Sequence, residues 1–202
     1  QPWFSLLYYD PGNADSETGE STAAPRTLAE REAAYMHGIN ATDHEMQQVL
    51  ATLDAKPDQR PTLVILASDH GYEFDELGLG NIGHGSNYGP WQLRSTLLMR
   101  WPGREPKVYT HRSAHQDLPG TLLQEVFGCS NPASDYSSGS NLFDEQSWDW
   151  MIAGSYNSHA IVEPDKLIVS YPGGLVEVLG PDYRPKAGLK PEIGEVVMKA
   201  LN

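Results

Sequence analysis

The chain has 202 residues, enough for one domain of ordinary to large size, and its apolar fraction of 39% supplies a single core. A formal net charge of −13 and an isoelectric point near 4.8 leave no cationic field to hold a phosphate backbone or an anionic membrane surface, which excludes nucleic acid as a partner. Cys129 is the single cysteine, so an intrachain disulfide and a cysteine-based zinc module are excluded too.

The chain opens "QPWFSLLYYD", without an initiator Met and already inside a strand-like apolar run at Trp3 to Tyr9, so it is expected to be a piece of something longer. It holds no apolar run long enough to span a bilayer and no secretory n- and h-region, and as given it is expected to be soluble. A Gly-, Pro-, Ser- and acid-rich loop, "DPGNADSETGESTAAP", closes the strand. Thr27-Leu-Ala-Glu30 then has the form of a capping box, and Met36, Ile39, Met46, Leu50 and Leu53 recur at helical spacing. A helix from about Leu28 to about Leu53 follows, with one face buried. Asp43 falls on that face, where an unpartnered carboxylate is costly, so it is expected to be buried and hydrogen-bonded.

Thr62 to Ala67 is a continuous β-branched and aliphatic run, the pattern of a central strand covered on both faces. Strand, helix and strand make a βαβ unit, whose right-handed crossover sets the two strands parallel. A further strand is predicted over Ser95 to Trp101 and a helix over Asp117 to Phe127, stopped by Gly128. Beyond, "WDWMIAG", "SHAIVEP", "KLIVSY" and "GLVEVLG" read as short strands of an antiparallel meander, with a closing helix over Pro191 to Leu201. The expected class is therefore α/β, a mostly parallel sheet flanked by helices over residues 1–146, then a small antiparallel β subdomain and closing helix over 147–202. Trp148 and Trp150 are expected to pack the meander against the sheet.

The chemistry concentrates in "VILASDHGYEFDELGLGNIGHGSNYG", residues 64 to 89. Open parallel sheets bind ligands outside the carboxyl ends of their strands, and Asp69 and His70 stand at such an end. A turn at Gly71, whose backbone freedom suits it, would let both side chains converge on one ion. Carboxylate oxygen with imidazole nitrogen suits zinc or manganese better than calcium or magnesium. His84 returns through the glycine-flanked "NIGHGSN"; the residues alone leave it as a surface-loop histidine or a third ligand. Glu73, Asp75 and Glu76 read as solvated loop charges, one of which can orient a ligating imidazole.

The stretch "LVILASDHGYEFDELGLGNIGHGSNYGPWQLRSTLLMRWPG" resembles the C-terminal half of the sulfatase-like proteins of the alkaline phosphatase superfamily, which include phosphoethanolamine transferases and lipoteichoic acid synthases. "SAHQDLPGTLL" resembles the helix opening after the metal motif, and "FGCSNPASDYSSGSNLF" is similar to the YejM-type inner-membrane branch. The resemblance runs from about Trp3 to Phe143 and implies a partial alkaline-phosphatase-like sheet. It implies a divalent metal, zinc or manganese, held by Asp69, His70 and His84, and a phosphate- or sulfate-ester or lipid substrate. His115 matches the histidine of a His-x-Asp element, with Asp117 beside it as a helix cap. Where related enzymes carry a substrate-contacting histidine, this chain has Asp10. The family's Thr, Ser or modified-Cys nucleophile would lie in an N-terminal half outside this chain. No catalytic residue is assigned here, since the Ser68 side chain should turn away from the site. Two readings follow: a fragment of a metal-dependent hydrolase or phosphotransferase, inert in isolation, or a non-catalytic lipid-binding and regulatory domain. Either would stand on the periplasmic face of the inner membrane, beside membrane segments of the whole protein. An incomplete sheet leaves an unpaired strand edge, which invites a homodimer.

Overall fold

The computed structural model describes residues 27–55 and 60–186. The expected first strand, the acidic loop with Asp10, and the closing helix over Pro191 to Leu201 lie outside the described residues. The chain divides into two compact units, residues 1–64 and 65–202.

In the first unit, helix α1 runs Leu28–Asp54, and its capping box is complete: Glu30 N donates to Thr27 Oγ1 and Thr27 N donates to Glu30 Oε2. The apolar stripe is shallower than its spacing predicts. Met36 and Ile39 are exposed, Met46, Leu50 and Leu53 are half-buried, and Gly38 is the one buried position of this helix. Asp43 is accordingly exposed rather than buried, and it accepts from Gln47 Nε2 one turn on at 2.8 Å. A carboxylate still in water needs no buried partner.

The second unit carries three small sheets. Strand β1 (Val64–Ala67) pairs with β4 (Leu97–Arg100), β2 (Glu73–Phe74) pairs with β3 (Ile82–Gly83), and β5 (Met151–Gly154), β6 (His159–Val162), β7 (Leu167–Ser170) and β8 (Val176–Leu179) form a four-stranded meander. The short helix α2 (Pro90–Leu93) precedes β4, and α3 (Asp117–Glu125) lies between β4 and the meander. A mostly parallel sheet is not what the described residues form. Beyond β1 and β4, Ser68 N donates to Thr96 O and Gly71 N to Gln92 O, so rising numbers on one segment meet falling numbers on the other, the antiparallel sense. The β2–β3 hairpin and the meander are antiparallel as well. Nor is β1 buried on both faces: its first three residues are half-buried and Ala67 is exposed.

The meander is as expected, and it owns the core. Register pairs Ala160 with Val169 and Val162 with Leu167, so these four share one face, where Leu179, Tyr88, Leu93 and Ala153 join them. Ile161 and Ile168, on the opposite face, are also buried. Burying each such aliphatic side chain is worth about 1.5–3 kcal/mol, which makes β6 and β7 the thermodynamic centre of this unit. Tyr88 belongs to that core and donates to, or accepts from, Ser158 Oγ at 2.8 Å, so the strand-end segment and the meander fold as one body.

Helix α3 ends as predicted. Gly128 has φ +69, and Cys129 N reaches back to Leu123 O, closing the last turn as only a residue at ease with positive φ permits. Its start differs from expectation. Gln116 is the cap, and Asp117 is the first helical residue, 2% exposed. The Asp117 carboxyl accepts from Ala114 N, Ser140 N and Trp148 Nε1 at 2.7, 2.7 and 3.0 Å. Trp148 thus anchors the entry to the meander by its indole N–H, and Asp117 is a buried crosslink rather than a cap.

Candidate functional site

Asp69, His70 and Gly71 follow β1, where the chain leaves the sheet. The β2–β3 hairpin pairs Glu73 with Gly83 and so returns His84 to the start of its own loop. Its turn is held locally: Asp75 takes φ +65, Asp75 Oδ1 accepts from Gly80 N at 2.5 Å, and Glu76 Oε2 accepts from Phe74 N at 2.6 Å. The result is a direct contact between the two histidines. The rings of His70 and His84 stack with centroids 3.8 Å apart and planes inclined by 24°. Asp69 Oδ1 lies 3.6 Å from His70 Nε2 and accepts from His70 N at 3.0 Å, with its side chain 83% exposed.

The tautomer of His70 follows from its neighbour. Nδ1 is 2.7 Å from Gly71 O, and a carbonyl can only accept, so Nδ1 carries the proton and the neutral ring presents a lone pair at Nε2. That is the arrangement a ligating imidazole needs. His115 is fixed by the same logic: its Nε2 donates to Ser68 O at 2.8 Å, bracing the backbone one residue before Asp69. Ser68 Oγ accepts from Thr96 N at 2.7 Å, so the hydroxyl is spent on the sheet and turned from the histidines as expected.

Gly71 matters for space rather than for backbone angle. Its φ is not positive, but a Cβ there would stand 2.2 Å from Trp91 O and 2.6 Å from Arg94 O. Only glycine lets the Asp-His turn lie this close to α2.

Glu73 is not a solvated loop charge. It is fully buried, and its Oε2 accepts from both Asn87 Nδ2 and Gln92 Nε2 at 2.6 Å. Gln92 Oε1 in turn accepts from Ser86 N and Asn87 N, and Asn87 Oδ1 accepts from Gly89 N. This network pins the segment that follows His84. Glu73 therefore positions a site residue through the backbone rather than touching an imidazole, and its Oε1 is buried without a partner. Sequence reasoning missed Asn87 and Gln92; the signal was two uncharged amides flanking a buried tyrosine beside Gly89-Pro90.

By chemistry, the donor set fits a borderline divalent cation: two imidazoles in contact, one with its ligating nitrogen defined, beside an exposed carboxylate. By geometry, the side chains are gathered but not converged. Imidazole lone pairs lie in the ring planes, and two rings stacked this nearly parallel cannot both direct a lone pair at one point about 2.0–2.1 Å away. Among the described residues, no three His, Cys, Asp or Glu side chains form a ready coordination group. One ring must turn before the set can close on an ion.

The site is thus a strand-end Asp-His pair with a second histidine returned beside it by a hairpin. The pattern of the Sulfatase family matches residues 2–128, and the chain belongs to that family. It is similar to an uncharacterised protein of Haemophilus influenzae, 33% identical over 61% of this chain and 21% of that protein. It is similar also to the inner membrane protein YejM of Salmonella typhimurium, 23% identical over 83% of this chain and 26% of YejM. Steryl-sulfatase of Rattus norvegicus is 39% identical over a shorter stretch, 35% of this chain and 14% of that enzyme. The chain thus spans about a quarter or less of the length of these relatives. Among the described residues, no helix is long and apolar enough to cross a membrane.

Proposed function

We propose that this chain is the histidine-bearing part of a metal-dependent, sulfatase-type hydrolase or phosphotransferase acting on phosphate or sulfate esters, and that it is inert on its own. The observation that carries this reading is the contact between His70 and His84 beside Asp69, with the His70 Nδ1 proton committed to Gly71 O. Asp69, His70 and His84 would hold the ion, zinc or manganese before calcium. When bound, it would supply Lewis acidity to an ester oxygen. The chain's own residues hold and orient. Gly71 O fixes one imidazole, the Glu73 network fixes the backbone after the other, and His115 steadies the strand end. The nucleophile and the ester's binding groups would come from the rest of the protein.

A second reading is supported by the YejM likeness, which covers 83% of this chain: a non-catalytic, lipid-binding regulatory domain on the periplasmic face of the inner membrane. Hydrolysis of p-nitrophenyl phosphate, bis-p-nitrophenyl phosphate and p-nitrophenyl sulfate, with zinc, manganese or EDTA, separates the two. The whole protein should turn over at least one ester in a metal-dependent way that His70→Ala abolishes, while this chain alone gives none. Turnover by the chain alone would refute its inertness; a metal-free, inactive whole protein would favour the regulator.

A further inference from the structure

The turn between β5 and β6 closes on itself, with Ser155 N donating to Ser158 O at 3.0 Å. It is also tied twice to the segment that carries His84. Ser155 Oγ donates to Gly85 O at 2.5 Å, and Ser158 Oγ shares a hydrogen bond of 2.8 Å with Tyr88 OH. Each tie joins residues 70 apart in sequence, and Tyr88 is itself part of the buried core. The turn is therefore fixed to the backbone on the C-terminal side of His84 rather than free in solvent.

What the turn presents is Tyr156. Its ring is 85% exposed, so its burial adds little to the stability of the fold. The chain nevertheless makes room for it. A Cβ at Gly85, where φ is +74, would stand 2.9 Å from Tyr156 Cε2. The positive φ already favours glycine at this position; the space is a second demand, and it comes from a ring that the core does not use. Tyr156 thus lies against the bare backbone of the residue after His84, which is exposed as well. One residue, about 3.8 Å along the backbone, separates the imidazole's position from an aromatic face set in place before anything binds.

Tyrosine offers a large rigid contact area on only two side-chain torsions, so little entropy is lost when a flat group stacks on it. A planar ring arrives flat, whereas an alkyl chain must surrender rotamers to lie along the same face. We infer that Tyr156 is a specificity residue of the strand-end site: a platform, lent by the meander, on which a flat unsaturated ring carried next to the substrate's phosphorus or sulfur is stacked. The place of the reacting group rests on the hydrolase reading above; the ring is what Tyr156 adds, beyond the binding groups the rest of the protein would supply. The meander, which holds none of Asp69, His70 and His84, thereby takes a share in substrate choice.

The test is calorimetric titration of the whole protein, in zinc, with benzylphosphonate and with heptylphosphonate, two non-hydrolysable ligands with the same number of carbons. Benzylphosphonate should bind about fivefold more tightly, the gain of one aromatic stack. Tyr156→Ala should bring the two affinities within about twofold of each other at an unchanged melting temperature, since the ring it removes is exposed. Tyr156→Phe should keep the preference, because the face acts and the hydroxyl does not. Equal affinities in the wild type, a preference that survives Tyr156→Ala, one that Tyr156→Phe abolishes, or no binding of either phosphonate would overturn the proposal. The hydrolase reading is judged separately, by metal-dependent turnover. A benzyl preference that depends on Tyr156 without turnover would keep the platform and refute the hydrolase, and turnover without the preference would do the reverse.

Discussion

Replacing Glu73 by alanine tests the buried network that holds the site. In the native unit, Glu73 Oε2 takes two hydrogen bonds of 2.6 Å, from Asn87 and Gln92, both 3% exposed. Alanine removes the acceptor from both amides. Gln92 Nε2 keeps its bond to Ser86 Oγ, so it loses one partner of two; Asn87 Nδ2 loses the acceptor it has. A buried donor left unpaired costs about 1–3 kcal/mol, and losing the side chain's packing adds to this. Removing Oε1, itself unpaired, returns part of it. The net expectation is a loss of about 2–4 kcal/mol in urea unfolding. Glu73→Gln should stay within about 1 kcal/mol of the wild type, because its amide oxygen can take the Oε2 role. Loosening the backbone after His84 should also remove the nuclear Overhauser contact between the His70 and His84 rings in Glu73→Ala but not in Glu73→Gln. An alanine variant as stable as wild type, with that contact intact, would refute the reasoning.

Three further perturbations follow from the same structure. Gly71→Ala drives a Cβ into Trp91 O and Arg94 O, backbone atoms that cannot swing aside, so it should destabilise the unit by more than about 2 kcal/mol and shift the His70 resonances. Asp117→Asn puts an N–H₂ group in place of one of the two oxygens, each of which now faces two donors, and should cost about 2–4 kcal/mol, with Trp148 fluorescence moving to the red as its anchor is lost. Burial holds the phenols of Tyr171 and Tyr183 above their ordinary value of 10.0, Tyr183 more strongly, and each also hydrogen-bonds the other. Below the unfolded value, near 10, both states keep the proton and this contribution is fully present. Above it the unfolded chain releases protons that the folded chain still holds, so urea midpoints should fall from about pH 10 upward, and less steeply in Tyr183→Phe.

What could be read in advance was whatever a few neighbouring residues decide. The Thr27–Glu30 box, the Gly128 stop and the four meander strands depend on contacts within a turn or hairpin, and the structure has each of them. The pairing of His70 with His84 was legible because glycines frame both. Failures came where partners are distant. Glu73 looks like a loop charge until Asn87 and Gln92, 14 and 19 residues on, enclose it. Asp117 looks like a cap until Ser140 and Trp148, 23 and 31 residues on, claim its oxygens. Asp43 erred in the opposite direction: helical spacing placed it on an apolar stripe, but spacing does not say how deeply a stripe is buried. The parallel sheet was inferred from a crossover whose first strand lies outside the described residues; among them, β1 pairs with β4.

The most direct measurement is a long-range ¹H–¹⁵N spectrum of the histidine rings as zinc is added to this chain. Before zinc, His70 should show the tautomer protonated at Nδ1. On titration, the His70 and His84 nitrogens should shift together while those of His37 and His159 stay put, with both responses lost in Asp69→Ala. Zinc shifts scattered over unrelated histidines, or an Nε2-protonated His70 that ignores the ion, would contradict the account of the strand-end site.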